Sequence, residues 1–181
     1  LWSNINFDKL YDDFDGNKMY KSYLDKIVEG GSNTSKIEAL INSIYNPKKL
    51  YNSKIRYGVV SVNLKNKQPV YSTNINTKED VLSKYILASA TCFPFFKPAE
   101  INNELFIDGG YYDNLPINLA ITLGAKDIIA VDLGAIGFKK EAIGSTNITY
   151  IKPNNKLDSF LKFDKNVSKK LIKFGYNDTM K

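Results

Sequence analysis

Apolar and polar positions alternate most clearly over residues 55–64, Ile55-Arg56-Tyr57-Gly58-Val59-Val60-Ser61-Val62-Asn63-Leu64, where β-branched residues predict a strand. Residues 69–73, Pro-Val-Tyr-Ser-Thr, read as the return arm of a hairpin across a polar turn at 65–68. Helical spacing is found before and after this pair. Residues 20–28 form one candidate helix, and Ile37, Leu40, Ile41 and Ile44 mark another beginning at Thr34 or Ser35, with turn chemistry at 30–33 between them. Thr77 is placed to cap a helix carrying Val81, Leu82, Tyr85, Ile86 and Ala88, and Glu79 and Asp80 suit the positive end of its dipole. Pro94 and Pro98 then impose a loop.

Leu105-Phe106-Ile107 reads as a short buried strand running into Asp108-Gly109-Gly110, where the glycines suit a turn of positive φ and a close backbone approach. Pro116 opens a helix through Ala120 and Leu123 that Gly124 ends, and Ile128-Ile129-Ala130-Val131 reads as a buried strand. Strand, helix and strand predict a right-handed βαβ unit with parallel strands. In such sheets reactive groups collect beyond the carboxyl ends of strands, where Asp108 lies. Asp113 and Asn114 precede the helix and suit its cap, and they are also placed to orient the Asp108 loop. Residues 147–151 predict a last short strand. Residues 157–175 predict an amphipathic helix with Phe160, Phe163, Val167, Leu171 and Phe174 on one face and Lys162, Lys165, Lys169 and Lys173 opposite.

Composition narrows the function classes. The chain has 181 residues, 43% of them hydrophobic, enough for one domain or most of one. It contains no histidine and one cysteine, Cys92, so neither an internal disulfide nor a His/Cys zinc site is expected. The formal charge is +6, and residues 151–181 hold eight lysines against three aspartates, so the basic excess belongs to the tail. No helix-turn-helix, zinc-finger or aromatic RNA-platform pattern accompanies those lysines, and a nucleic-acid partner is not expected. A solvated helix face is the plain reading of the tail, with contact to an anionic membrane surface as its rival. Neither a signal peptide nor a spanning segment is visible. A soluble or peripheral protein is expected, the cytoplasm being slightly favoured as its address.

Three ordered blocks carry a resemblance. Ala88-Ser89-Ala90-Thr91-Cys92-Phe93-Pro94-Phe95-Phe96-Lys97-Pro98, then Asp108-Gly109-Gly110 with Tyr111-Tyr112-Asp113-Asn114-Leu115-Pro116, then residues 124–132, together resemble the second half of a patatin-like phospholipase domain. The resemblance implies an α/β fold, the C-terminal part of a three-layer α/β/α sandwich with a mostly parallel central sheet. Residues 1–150 would be that part of the acyl hydrolase domain, and 151–181 a basic amphipathic C-terminal helix. It implies that Asp108 partners a catalytic serine in a dyad without histidine, with Gly109, Gly110 and Asn114 shaping its loop. The Gly-rich oxyanion loop and the Gly-x-Ser-x-Gly elbow of the family are absent from these residues. Leu1-Trp2 resembles a pair that follows the family's nucleophile helix, which implies that residue 1 is internal and that the N-terminal half of the same domain is a partner.

A serine hydroxyl is a weak nucleophile, and a carboxylate with a reference pKa of about 3.9 is a feeble base. Burial of the acid and backbone N–H donors to the oxyanion must compensate. Phe93, Phe95 and Phe96 are candidates for an apolar acyl-chain wall, although core positions are the commoner fate of such residues. Cys92 reads as a small buried hydrophobe. The expected function is lipid acyl hydrolysis of the phospholipase A kind, on a phospholipid or other lipid ester, with no metal, nucleotide or other cofactor. The alternative is a catalytically inactive lipid- or protein-binding module on the same fold.

Overall fold

The hairpin forms where the alternation predicts it, in a computed structural model that describes residues 30–135, 137–158 and 164–180. Strand β1 (Gly58–Asn63) pairs antiparallel with β2 (Pro69–Thr73), Gly58 opposite Thr73 and Val62 opposite Pro69. Asn63 closes the turn: its side-chain oxygen accepts from the Lys65 N–H at 2.8 Å, its carbonyl from that of Lys67. Pro69 lacks a ladder donor and is tolerated because β2 is an edge strand.

Strand β4 (Glu104–Asp108) lies on the other side of β1, with Ser61 opposite Asp108, and β3 (Ala99–Ile101) completes a sheet of order β2-β1-β4-β3. Every pairing in it is antiparallel. One face is covered by α3 (Glu79–Ala88), whose Leu87 and Ala88 form a buried cluster with Ala99, Ile101 and Phe106. Tyr85 meets Phe106 edge to face at 5.4 Å. Ile37 and Ile41 of α1 (Ser35–Ile44) extend the cluster outward. On the opposite face Leu119 of α5 (Ile117–Thr122) comes so close that a Cβ on Gly58 would sit 2.9 Å from its Cδ2. Helices thus flank a sheet on both faces, and the fold is α/β.

The βαβ expectation is not met. Both edges of β4 are taken by β1 and β3, so the ladder offers β5 (Asp127–Val131) no place beside it. β5 pairs instead with β6 (Asn147–Ile151), in parallel, as a separate two-stranded sheet. The mostly parallel central sheet is therefore not formed by the described residues. Nor is β5 buried throughout, since Ile129 is 72% exposed and Val131 55%.

Three local readings also change. Thr77 does not cap α3; Lys78 precedes that helix without a side-chain cap, and the Thr77 hydroxyl donates to Asn76 Oδ1 at 2.9 Å. A short helix α2 (Pro47–Tyr51), unmarked by any long apolar period, follows Asn46, whose side chain accepts from the Lys49 N–H. The tail helix α6 is seen over Lys165–Thr179, where Asp164 caps it by accepting from Asn166 and Val167 N–H at 2.9 Å each. The candidate helix at 20–28, Leu1-Trp2, Phe160, Lys162 and Phe163 lie outside the described residues.

Candidate active site

Asp108 is the last residue of β4, and its N–H donates to the Thr91 carbonyl at 3.1 Å, which ties the strand end to the loop after α3. The chain then turns into α4 (Gly110–Asp113). The expected positive φ is absent: Gly109 has φ −68°, and Gly110 is not among the residues of positive φ. Glycine is needed at 109 for space alone. A Cβ there would lie 2.3 Å from the Val60 carbonyl oxygen on β1. At 110 a Cβ would meet Asn114 Oδ1 at 2.8 Å and Asp108 Oδ1 at 3.2 Å, so a side chain would press on the carboxylate itself.

This close turn aims one donor at the acid. The Gly110 N–H donates to Asp108 Oδ1 at 2.8 Å, and among the described residues Oδ2 has no hydrogen-bond partner. Burial pushes the Asp108 carboxyl above its usual range, and the Gly110 N–H partly opposes that by favouring the charged form. Cys92 and Tyr111 lie near it: their side chains approach each other to 3.7 Å, and burial raises the pKa of both. The Tyr111 hydroxyl donates to the Phe93 carbonyl.

A small cavity of about 140 Å³ opens at this strand end, lined by Val60, Asp108, Asp113, Asn114 and the two glycines. A larger hollow of about 430 Å³ lies between Arg56 and α5 and does not reach Asp108. The smaller space is the one with chemistry in it. Asp108, Gly109, Gly110 and Asn114 are therefore brought together around one cavity. The three phenylalanines are not part of its wall: Phe96 is buried, Phe95 half-buried and Phe93 41% exposed.

Asp113 is no helix cap. It is 2% exposed, and its Oδ2 accepts from the Tyr71 hydroxyl at 2.8 Å, while Pro116 precedes α5. Tyr71 in turn accepts from Lys140 Nζ at 3.1 Å. Neither Tyr71 nor Lys140 stands out in the sequence, since 42 and 69 residues separate the partners and no local spacing announces such contacts. Among the described residues no group of three or more His, Cys, Asp or Glu side chains is placed to hold a metal ion, and no helix is long and apolar enough to cross a membrane.

The arrangement presents a half-buried carboxylate at a strand end beside a cavity, one oxygen held by the Gly110 N–H and the other without a hydrogen-bond partner among the described residues. Residues 1–121 match the patatin-like phospholipase family. The chain belongs to that family. Among similar proteins, Lysophospholipase NTE1 of Meyerozyma guilliermondii is 39% identical over 71 residues, 36% of this chain and 5% of that protein. Lysophospholipase NTE1 of Mycosarcoma maydis is 38% identical over 53 residues, 29% of this chain and 3% of the relative. Patatin-like phospholipase domain-containing protein 6 of Homo sapiens is 38% identical over 60 residues, 32% of this chain and 4% of its own length. The chain thus matches only a small part of these long relatives. At the level of the family, a lipid hydrolase function is supported.

Proposed function

We propose that this patatin-like chain supplies the acid half of a Ser/Asp dyad that hydrolyses a phospholipid or lysophospholipid ester, with Asp108 as the base. The observation that carries the reading is the half-buried Asp108 carboxylate, held by the Gly110 N–H at 2.8 Å and raised in pKa by burial. The serine and the oxyanion donors come from the N-terminal half of the same domain. In the first step the serine Oγ bonds to the acyl carbon, its proton passes to Asp108, and the carbonyl electron pair moves onto the oxygen. Collapse expels the alcohol, which takes the proton back. Water repeats the sequence on the acyl-serine, releasing the fatty acid. No cofactor enters these steps.

Two observations support the reading beyond the site. Parallel strands ordinarily stand with both faces covered, and the open face at Ile129 and Val131 offers the rest of the domain a place to dock. Phe93 is exposed beside Tyr111, which suits contact with an acyl chain, and Phe95 is half-buried. The basic C-terminal helix completes the proposal, its lysine face solvated or, as the rival reading, set against an anionic membrane surface.

Asp108→Asn in the complete domain is expected to lower kcat by roughly two to four orders of magnitude, the span of a positioned acid-base group. A folded carboxyl with a raised pKa binds more protons than the unfolded chain between its two pKa values, so stability falls as pH rises through that window. The Asn variant should therefore melt no lower than wild type at neutral pH. The acid limb of kcat/KM should report a carboxylate titrating above its usual range, with no imidazole step. Near-normal kcat in the variant with a lowered Tm would make Asp108 a turn residue only, whereas no hydrolysis by the wild-type complete domain would favour the inactive binding module.

A further inference from the structure

Residues 137–143 lie across the turn that follows Asp108 like a strap. The Asn114 N–H donates to the Phe138 carbonyl at 2.7 Å, and the Phe138 N–H to the Gly110 carbonyl at 3.3 Å. Gly137 approaches so closely that a Cβ would stand 2.5 Å from the Gly110 oxygen. Farther along, Asn118 of α5 donates to the Glu141 carbonyl at 2.8 Å and accepts from the Ile143 N–H at 2.9 Å. Lys139 is held by Asp132 at 2.6 Å. One side chain of this strap, Lys140, is exposed and reaches back over the turn to Tyr71. Its Nζ donates to the Tyr71 hydroxyl at 3.1 Å and stands 4.1 Å from the Tyr112 ring centroid, and Tyr71 passes its own proton bond to Asp113 Oδ2 at 2.8 Å.

We propose that Tyr71 and Lys140 are positioning residues for Asp108, acting through Asp113 to hold the turn that aims the Gly110 N–H at its carboxylate. The proposal rests on the dyad reading above. Asp113 is the C-terminal residue of α4, and its N–H bonds back to the Gly109 carbonyl at 2.9 Å. Its side chain is almost wholly buried, and among the described residues its Oδ1 has no partner. Tyr71 and, behind it, the Lys140 cation are thus the groups that compensate a buried carboxylate. Without them Asp113 is drawn toward water, and the four-residue helix moves with it. The Gly110 N–H sits at the other end of that helix, so movement there releases Asp108 Oδ1. Cys92 and Tyr111 are the other titratable groups near Asp108, and Tyr111, as a residue of α4, moves with that helix.

The test uses the complete domain with Tyr71→Phe, Lys140→Met, Lys140→Arg and Asp108→Asn, assayed on a neutral soluble ester over a pH series, with a thermal melt for each variant to confirm folding. Tyr71→Phe keeps the ring in place, and Lys140→Met keeps the stem. Both should lower kcat by about tenfold to a hundredfold, as expected when a reacting group is misplaced by about 1 Å, with KM within about twofold. Both should also move the acid limb of kcat/KM to higher pH, since a released Gly110 N–H no longer favours the charged form of Asp108. Lys140→Arg should restore most of the loss. Wild-type kcat and an unmoved acid limb in Tyr71→Phe and Lys140→Met, alongside an inactive Asp108→Asn, would overturn the positioning role and leave the dyad standing. Full activity in Asp108→Asn would remove the dyad itself, and this proposal with it.

Discussion

At the scale of the residue, the two glycines after Asp108 do different work. Gly109 is excluded from bearing a side chain by the backbone of Val60, whereas the atoms that crowd Gly110 are the side-chain oxygens of Asn114 and Asp108. Gly109→Ala should therefore cost stability, about 1–3 kcal/mol for overpacking against main chain that cannot step aside. Gly110→Ala should cost activity more than stability, because the new methyl displaces the carboxylate. Chemical denaturation and kcat measured on both variants check the contrast; equal stability losses with equal activities would contradict it. Asp108 itself was legible in the sequence, as an acid at a strand end followed by small residues. What the glycines were for was not, because a close approach depends on Val60, 49 positions upstream and brought alongside only when β1 pairs with β4. The Tyr71–Asp113 bond was illegible for the same reason.

Among the elements, those defined by local pattern emerged where the pattern put them. The hairpin, α1, α3, the Asp108 strand and β5 with β6 follow from alternation or helical period over five to ten residues. Pairing between distant strands was the weak point, since a strand–helix–strand order suggests parallel neighbours but cannot show that β1 and β3 already occupy both edges of β4. Helix α2 escaped notice at five residues, too short for a period. In α6, Val167, Leu171 and Phe174 are half-buried on one side while Lys169 and Lys173 are exposed, as the spacing predicts; Lys165 is half-buried. Reversing charge at Lys169 and Lys173 should leave folding intact. If this face meets anionic lipid, vesicle binding should weaken by about 1 kcal/mol per lysine and lose its dependence on salt. Co-sedimentation with phosphatidylserine vesicles at two ionic strengths reads this, and binding unmoved by either change would reduce α6 to a solvated helix.

For the whole molecule, the α/β character follows from both sequence and structure and the family from the sequence match over residues 1–121, and the open side of β5 is the largest discrepancy between expectation and structure. The apolar run at 128–131 predicts a buried strand there, and Ile129 and Val131 stand in solvent. Their apolar character makes sense once the remainder of a domain covers them, the same remainder that would carry the serine. The most direct test of this account is complementation on a short-chain aryl ester. The 181-residue chain and a separate N-terminal segment bearing the Gly-x-Ser-x-Gly elbow are assayed alone and mixed, the chain as wild type and as Asp108→Asn. The account predicts background rates for each piece alone, turnover on mixing with the wild-type chain, and none above background with the Asn variant. Turnover by the 181-residue chain alone, or equal restoration by the Asn variant, would contradict it.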